Sequence, residues 1–383
     1  MFVKFPFQVS FMSLPFTSFN DVRPEVAAFE SYEPGLSIAE IAERYGLSRV
    51  IKMASNENPL GVSPCVRDVI ASCASEAFRY PQSGNPRLVK ALAAFYGVDA
   101  GRIFVGNGSD EVIDLLFRVR AVPGVHNAVV FRPCFGLYPT QARMAGVELR
   151  QAPLRPDFSF DFDGLLKLVD ENTTLVIVTS PDNPSGRLAS PDDLEALARA
   201  LPPACLLVVD EAYIEFAGEE HSLLPRLDRL PNVALMRTFS KVYGLAGLRI
   251  GYAILPPAIA DYMWRVRLPF SLNILAEEAA LAALADASFR ERTVELVRRG
   301  RDRLTEGLRA LGCEVTPSMS NFIMFRLPEG SVTARELHGE LLKRGIIIRA
   351  LGSYHLPEWL RVSVGTDEEN ELFLRQVRDI LGA

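Results

Sequence analysis

Cysteine and histidine are scarce in this sequence. The five cysteines and four histidines lie far apart, without the C-x-x-C pairs or short histidine spacings that zinc sites use. An odd number of scattered cysteines also argues against a disulfide framework and favours free thiols in a reducing compartment. We therefore expect a cytoplasmic protein without a metal site.

A basic excess and a long uncharged run are lacking too. Lys and Arg number 41 against 47 Asp and Glu, a formal charge of −6, whereas nucleic-acid binding depends on basic patches. No stretch approaches the ~20 apolar residues of a membrane span. Residues 1–20 are rich in Phe but interrupted by Pro6, Gln8 and Pro15, unlike a signal peptide. We expect no nucleic-acid or membrane partner, and we interpret residues 1–20 as an arm that is flexible or packs in a dimer.

Apolar runs alternate with helical patterns from about residue 50 onward. The strand candidates are continuously apolar, as expected for strands covered on both faces; they are residues 127–132, 174–180, 205–210, 232–237 and 248–255. Helical patterns lie between them, for example at 109–120 and 191–201. This alternation predicts an α/β fold with a mainly parallel sheet flanked by helices.

The pattern changes after about residue 265. Two long helical stretches lead into short strands and further helices; the strands are predicted at 321–325, 345–349 and 359–364. This indicates a smaller α+β domain. We predict an N-terminal segment (1–50), a large domain (51–265) and a small C-terminal domain (266–383), with a continuous helix joining the two domains.

The sequence from 237 to 252 contains a lysine directly after a predicted strand. Lys241 therefore lies at the edge of the sheet where α/β enzymes bind ligands. A lysine nucleophile must lose its proton, and a desolvated pocket with neighbouring cations favours that loss. Ser240 and Arg249 lie close enough in sequence to hold a phosphate beside it.

Asp210 ends another apolar strand. A buried carboxylate needs a partner, and a protonated pyridine nitrogen would be one; a helix cap is the alternative. Tyr213, three residues later, returns to the same region. Asn183 lies in a rigid Pro- and Gly-containing turn after a third strand.

Residues 106–111 (GNGSDE) precede a predicted helix. Small residues at a helix start expose backbone N–H groups that attract anions, so Ser109 and Asp110 form either a phosphate cradle or a plain helix cap. Phe135 lies in the turn after the next strand and could stack on a flat ring.

Together these motifs, in this order, resemble the fold-type I pyridoxal-phosphate aminotransferases over nearly the whole chain. Residues 54–61, 79–81, 210–216 and 360–366 look most like the histidinol-phosphate aminotransferase branch. The resemblance implies pyridoxal 5'-phosphate as cofactor and a homodimer with shared active sites. It also implies that residues 51–265 bind the cofactor and that residues 1–50 pack on the small domain and the dimer partner.

The resemblance also implies roles for single residues. Lys241 would carry the cofactor and move the proton, and Asp210 would pair with the ring nitrogen. Asn183 and Tyr213 would hydrogen-bond the ring hydroxyl, and Phe135 would stack on the face of the ring. The phosphate would be held by residues of the chain and by one tyrosine from the neighbouring subunit: Ser109, Asp110, Ser240 and Arg249, with Tyr80 from the neighbour. Arg361 would receive the anionic end of the substrate, assisted by Arg349 and Tyr32, with Asn183 beside it.

The implied reaction is transfer of the amino group of L-histidinol phosphate to 2-oxoglutarate. The sequence leaves two rivals open on the same fold, an aminotransferase for aromatic amino acids and a decarboxylase of a phosphorylated amino acid. A regulator with an aminotransferase-like sensor domain is disfavoured, because no basic helix-turn-helix pattern precedes the matched motifs.

Overall fold

The computed structural model describes residues 22–27 and 37–382. Residues 22–27 belong to a compact unit of residues 1–33, in which they include the short helix α1 (Pro24–Ala27). Residues 34–383 form the second compact unit. The Phe-rich residues 1–20 and Tyr32 lie outside the described residues.

The strands fall into three sheets. In chain order the described strands are β1 (Ile51–Lys52), β2 (Ile103–Asn107), β3 (Asn127–Arg132), β4 (Glu148–Pro153), β5 (Thr173–Thr179), β6 (Leu206–Asp210), β7 (Val233–Thr238), β8 (Ile250–Ile254), β9 (Glu314–Val315), β10 (Phe322–Arg326), β11 (Ile346–Ile347), β12 (Arg349–Ala350) and β13 (Trp359–Ser363).

Helices connect and cover these strands. After α1 the described α-helices are α2 (Ile38–Tyr45), α3 (Pro64–Cys73), α4 (Pro86–Tyr96), α5 (Gly108–Arg120), α6 (Leu137–Met144), α7 (Phe162–Leu166), α8 (Pro191–Ala200), α9 (Ile214–Ala217), α10 (Pro257–Val266), α11 (Ile274–Ala285), α12 (Ala287–Ala310), α13 (Ala334–Lys343) and α14 (Asp367–Leu381). None of the helices in the described part is long and apolar enough to span a membrane.

The seven-stranded sheet confirms the predicted α/β fold. Its strand order is β2-β8-β7-β6-β5-β3-β4, and β8 alone runs antiparallel to its neighbours in it. Every residue of β5, β6, β7 and β8 is buried. Apolar clusters cover both faces of this sheet, which explains why its strands are continuously apolar.

The parallel strands place their carboxyl ends at one edge. There β5, β6 and β7 lead into the segments that begin with Ser180, Glu211 and Phe239. Three loops distant in sequence are thereby brought together, as at ligand sites of open α/β sheets.

Two details differ from the sequence prediction. The strand predicted at 345–349 is two short strands in different sheets: β11 pairs in parallel with β1, whereas β12 pairs with β13 in a four-stranded sheet. Backbone bonds from Ile51 to Gly345 (2.8 Å) and from Met53 to Ile347 (2.7 Å) hold the first of them, so residues from the predicted large domain share a sheet with residues from the predicted small one.

The continuous helix predicted to join the two domains is also interrupted. Helix α10 ends at Val266, and α11 begins at Ile274 after its own N-cap, Asn273, whose side chain accepts from the N–H of Ala276 at 2.8 Å. Pro269 lies between them and disfavours helical backbone at the residue before it.

Candidate active site

A cavity of about 270 Å³ opens at the carboxyl edge of the large sheet. It is small for a ligand pocket but mixes apolar walls with several polar groups, as such pockets do. Its lining residues come from several separate segments of the chain and are Ser55, Glu57, Ser109, Asp110, Phe135, Thr179, Asn183, Asp210, Ala212, Tyr213, Thr238, Ser240, Lys241, Ala246 and Arg249. Nine of the residues predicted from the sequence are among them.

Asp210, the last residue of β6, is buried at the base of this cavity. Its carboxylate accepts hydrogen bonds from the Tyr138 hydroxyl at 2.6 Å and from the Ala212 N–H at 3.1 Å. Burial raises the pKa of Asp210 to about 6, although the Tyr138 bond opposes that rise. The partners of Asp210 among the described residues are neutral, so the carboxylate is suited to a cationic N–H group.

Lys241 faces the same cavity three residues after β7 ends. Burial, followed by the positive charge of Arg361, lowers the pKa of its amine to about 8. The amine lies 3.4 Å from the carbonyl oxygen of Ser55 and 5.6 Å from the ring centre of Tyr213. A lysine with a lowered pKa presents a larger fraction of the neutral, nucleophilic amine.

The start of α5 forms an anion-binding corner of the cavity. Ser109 and Asp110 lie in its first turn, where backbone N–H groups have no partner within the helix. Arg249 reaches the corner and pairs with Asp110 at 3.0 Å. The approach is so close that a Cβ on Gly108, whose φ is +79°, would lie 2.5 Å from the Arg249 guanidinium. The positive φ and this close approach both favour glycine there.

The remaining predicted lining residues surround the space between Lys241 and Asp210. Asn183 accepts a hydrogen bond from the buried Arg361. The hydroxyl of Tyr213 accepts from the Asn56 amide at 3.0 Å, and burial raises its pKa. Phe135 contributes a ring to the wall.

Three further predicted residues, Arg361, Arg349 and Tyr80, do not line the cavity. Arg361 donates to the carbonyl oxygen of Ala54 at 3.1 Å, and its Nε has no hydrogen-bond partner among the described residues. Arg349 is its cross-strand neighbour in the β12–β13 pair. Tyr80 does not line the cavity: it is 81% exposed and stacks on Phe270 at 4.9 Å. Tyr32 lies outside the described residues.

Sequence reasoning missed several residues of the site. The most informative is Tyr138, which does not line the cavity but donates to Asp210 and is also 2.7 Å from the Thr179 hydroxyl. The one feature of the sequence that could have identified Tyr138 was its position three residues after Phe135. Thr179 and Thr238 end β5 and β7, so their positions at strand ends could have identified them.

The arrangement combines a nucleophilic amine, a buried carboxylate and an anion corner around one space. Residues 48–377 match the family described as aminotransferase class I and II. The chain belongs to this family.

Individual members of the family are similar over most of the chain. A histidinol-phosphate aminotransferase of Nitratidesulfovibrio vulgaris is 59% identical over 364 residues, which cover 94% of this chain and 97% of that protein. A histidinol-phosphate aminotransferase of Oleidesulfovibrio alaskensis is 58% identical, and the match covers 94% of this chain and 95% of that protein. The crystal structure of the Sinorhizobium meliloti histidinol-phosphate aminotransferase, a complex with pyridoxal-5'-phosphate, superimposes with a TM-score of 0.86 at 29% identity, over 96% of this chain and 99% of that one.

Proposed function

We propose that this protein is a pyridoxal-phosphate-dependent aminotransferase that converts L-histidinol phosphate and 2-oxoglutarate into imidazole-acetol phosphate and L-glutamate, a step of histidine biosynthesis. The observation that carries the proposal is the meeting of Lys241, Asp210 and the anion corner at Ser109 around one cavity. The relatives that are 58–59% identical carry the same activity in their names.

The residues fit the cofactor at three separated points. Asp210, which is buried and has no cationic partner in the described part of the chain, suits the ring nitrogen, and Lys241 with its lowered pKa suits the reactive carbonyl. Ser240, Arg249 and the start of α5 suit the phosphate. Pyridoxal phosphate supplies an electron-withdrawing ring that stabilises negative charge on the substrate carbon.

The side chains around this ring then have distinct tasks. A carboxylate at Asp210 keeps the ring nitrogen protonated, which strengthens the electron withdrawal. Asn183 and Tyr213 are positioned to orient the ring hydroxyl. The Lys241 amine, once free, is the base that removes the substrate proton and returns it, because its pKa of about 8 is close to neutral pH.

Arg361 is the proposed anion receptor for both substrates. A buried guanidinium with an unpartnered Nε suits a carboxylate and a phosphate equally well, because both accept its forked N–H donors. Arg349 supplies a second positive charge next to it. A phosphate carries more charge than a carboxylate, so Arg349→Ala should slow the histidinol-phosphate half-reaction more than the 2-oxoglutarate half-reaction, whereas Arg361→Ala should slow both.

The function is tested by single-turnover reactions of the purified enzyme, followed by cofactor absorbance. Histidinol phosphate should convert the bound cofactor faster than phenylalanine at equal concentration. Faster conversion by phenylalanine would favour an aromatic aminotransferase instead. Borohydride should fix the cofactor to Lys241, and a labelled peptide that maps to another lysine would contradict the assignment.

We infer that the enzyme is a cytoplasmic homodimer with shared sites. Tyr80 and its stacking partner Phe270 are both exposed, and Phe78 and Leu268 nearby in sequence are 74% and 71% exposed. Exposed apolar side chains in such number are typical of protein interfaces. The five cysteines are unpaired, which suits a reducing compartment.

The shared-site proposal predicts complementation. Tyr80→Ala and Lys241→Ala subunits should each be inactive or nearly so, but a mixture should regain activity because one site of each heterodimer keeps both residues. The control is each variant mixed with itself. Heterodimers that form without regaining activity would show that Tyr80 does not serve the partner's site.

A further inference from the structure

A second cluster of charged side chains, buried at its centre, lies outside the cavity. Arg237 is 0% exposed and Glu211 1% exposed. Arg237 donates from Nε to Glu211 at 2.9 Å, to both carboxylate oxygens of Glu219 at 2.8 and 2.9 Å, and to the Ser222 hydroxyl at 3.0 Å. We call these four residues the Arg237 cluster. None of them lines the cavity.

The position of the cluster in the sheet relates it to the active site. Glu211 directly follows Asp210 at the end of β6, and Arg237 directly precedes Thr238 at the end of the neighbouring strand β7. Successive side chains of a strand point to opposite faces. Asp210 and Thr238 line the cavity, while Glu211 and Arg237 contact each other on the other side.

The cluster therefore joins the two chain segments that supply the chemistry. Besides the side-chain contacts, the N–H of Glu211 donates to the Met236 carbonyl at 2.8 Å. The Ser222 hydroxyl and the Leu223 N–H also bind the Glu211 carboxylate, at 2.8 and 3.2 Å. The joined segments lead on one side to Tyr213 and on the other to Lys241.

Stability alone is a weak reason for such a pair. A buried ion pair is costly to desolvate, and apolar side chains of similar volume often stabilise a fold as well or better. A guanidinium in a network of hydrogen bonds does, however, fix the relative position of the groups it binds, because its planar fork accepts only a narrow set of geometries.

We propose that Glu211 and Arg237 are positioning residues that hold Asp210 at a fixed separation from Lys241. The proposal rests on the proposed function, since a single cofactor ring must meet Asp210 at its nitrogen and Lys241 at its carbonyl carbon. A displacement of the order of 1 Å at a reacting centre lowers the reaction rate about a hundredfold. The cluster sets this separation without touching cofactor or substrate.

The test uses Glu211→Gln, which keeps the size of the side chain and removes its charge. Cofactor-free Glu211→Gln should bind pyridoxal phosphate about ten- to a hundredfold more weakly than the unaltered protein. The pH midpoint of the visible absorbance of the bound cofactor should also shift, because the ring can no longer contact Asp210 and Lys241 in their original geometry. Arg237→Lys keeps the positive charge and loses the forked guanidinium. Its affinity for pyridoxal phosphate should lie between those of the unaltered protein and of Glu211→Gln.

Glu195→Gln is the matched control. Glu195 accepts hydrogen bonds from Arg199, Arg226 and Arg229, and it does not line the cavity. The Glu195→Gln substitution should lower the thermal midpoint of unfolding and leave the cofactor affinity and the absorbance midpoint unchanged.

The outcomes separate the two proposals. If the unaltered protein binds no pyridoxal phosphate, the proposed function fails first. If it does, and Glu211→Gln changes only the thermal midpoint, as the control does, the positioning role is refuted. Should Glu211→Gln not fold, Ser222→Ala removes a single hydroxyl from both charged partners and should give a smaller change in the same direction; an unchanged affinity and midpoint in that variant would refute the role too.

Discussion

The lowered pKa of Lys241 gives the sharpest prediction. An ordinary lysine, with a pKa near 10.5, is about one part in a thousand neutral at pH 7.5, whereas a pKa of about 8 makes roughly a quarter of the amine neutral. The rate at which the cofactor-free enzyme captures pyridoxal phosphate should therefore rise with pH through a midpoint near 8. Stopped-flow absorbance between pH 6 and 10 measures it.

The causes of the shift can be tested separately. Arg361 is the largest contributor after burial, so Arg361→Gln should move the midpoint of Lys241 capture to higher pH. Arg349→Gln is the control, because Arg349 is the cross-strand neighbour of Arg361 and is not among the charges that shift Lys241. A midpoint near 10 in the unaltered enzyme would refute the desolvation argument. Equal midpoints in the unaltered enzyme and in Arg361→Gln would refute the role of the Arg361 charge.

Two further predictions concern the supports of the site. Tyr138→Phe removes a hydrogen bond that lowers the pKa of Asp210, so the acid limb of the pH profile of kcat/KM should move to higher pH. Because a hydrogen bond to a charged group contributes ~1.5–3 kcal/mol, kcat/KM should also fall about ten- to a hundredfold. An unchanged pH profile would contradict the role assigned to Tyr138. Gly108→Ala should weaken cofactor binding, because its Cβ would lie 2.5 Å from Arg249. Gly124→Ala has a similar φ of +69° with nothing within 4 Å and should affect only the thermal midpoint; equal affinities in both alanine variants would contradict the close approach at the anion corner.

Much of the site was predictable because strand ends are recognisable in a sequence. Asn183, Asp210 and Lys241 each follow a continuous apolar run, and parallel strands bring such positions to one edge. The prediction did not need distances, since the order of strands and polar residues along the chain was sufficient. The same reasoning located the helix start at Ser109.

Side chains that arrive from other directions were not predictable in this way. Tyr138 reaches Asp210 from the first turn of α6, and a single tyrosine in an amphipathic helix carries no signal of that contact. Arg349 and Arg361 are cross-strand neighbours, but the strand that contains Arg349 was predicted as one piece with β11. Its change of sheet depends on the pairing of β11 with β1, a contact between residues almost 300 positions apart.

The two consecutive acidic residues at 210 and 211 show why the sequence alone could not assign all roles. Both are buried carboxylates at the end of one strand, and strand alternation says that they face opposite sides without saying which side holds the cavity. The buried Arg237 decides the matter, because its donors are taken up by Glu211, Glu219 and Ser222. Glu211 is thus neutralised by the protein itself. Among the described residues Asp210 has only neutral partners, and its pKa is raised to about 6, so the proposed positively charged ring nitrogen would compensate its charge.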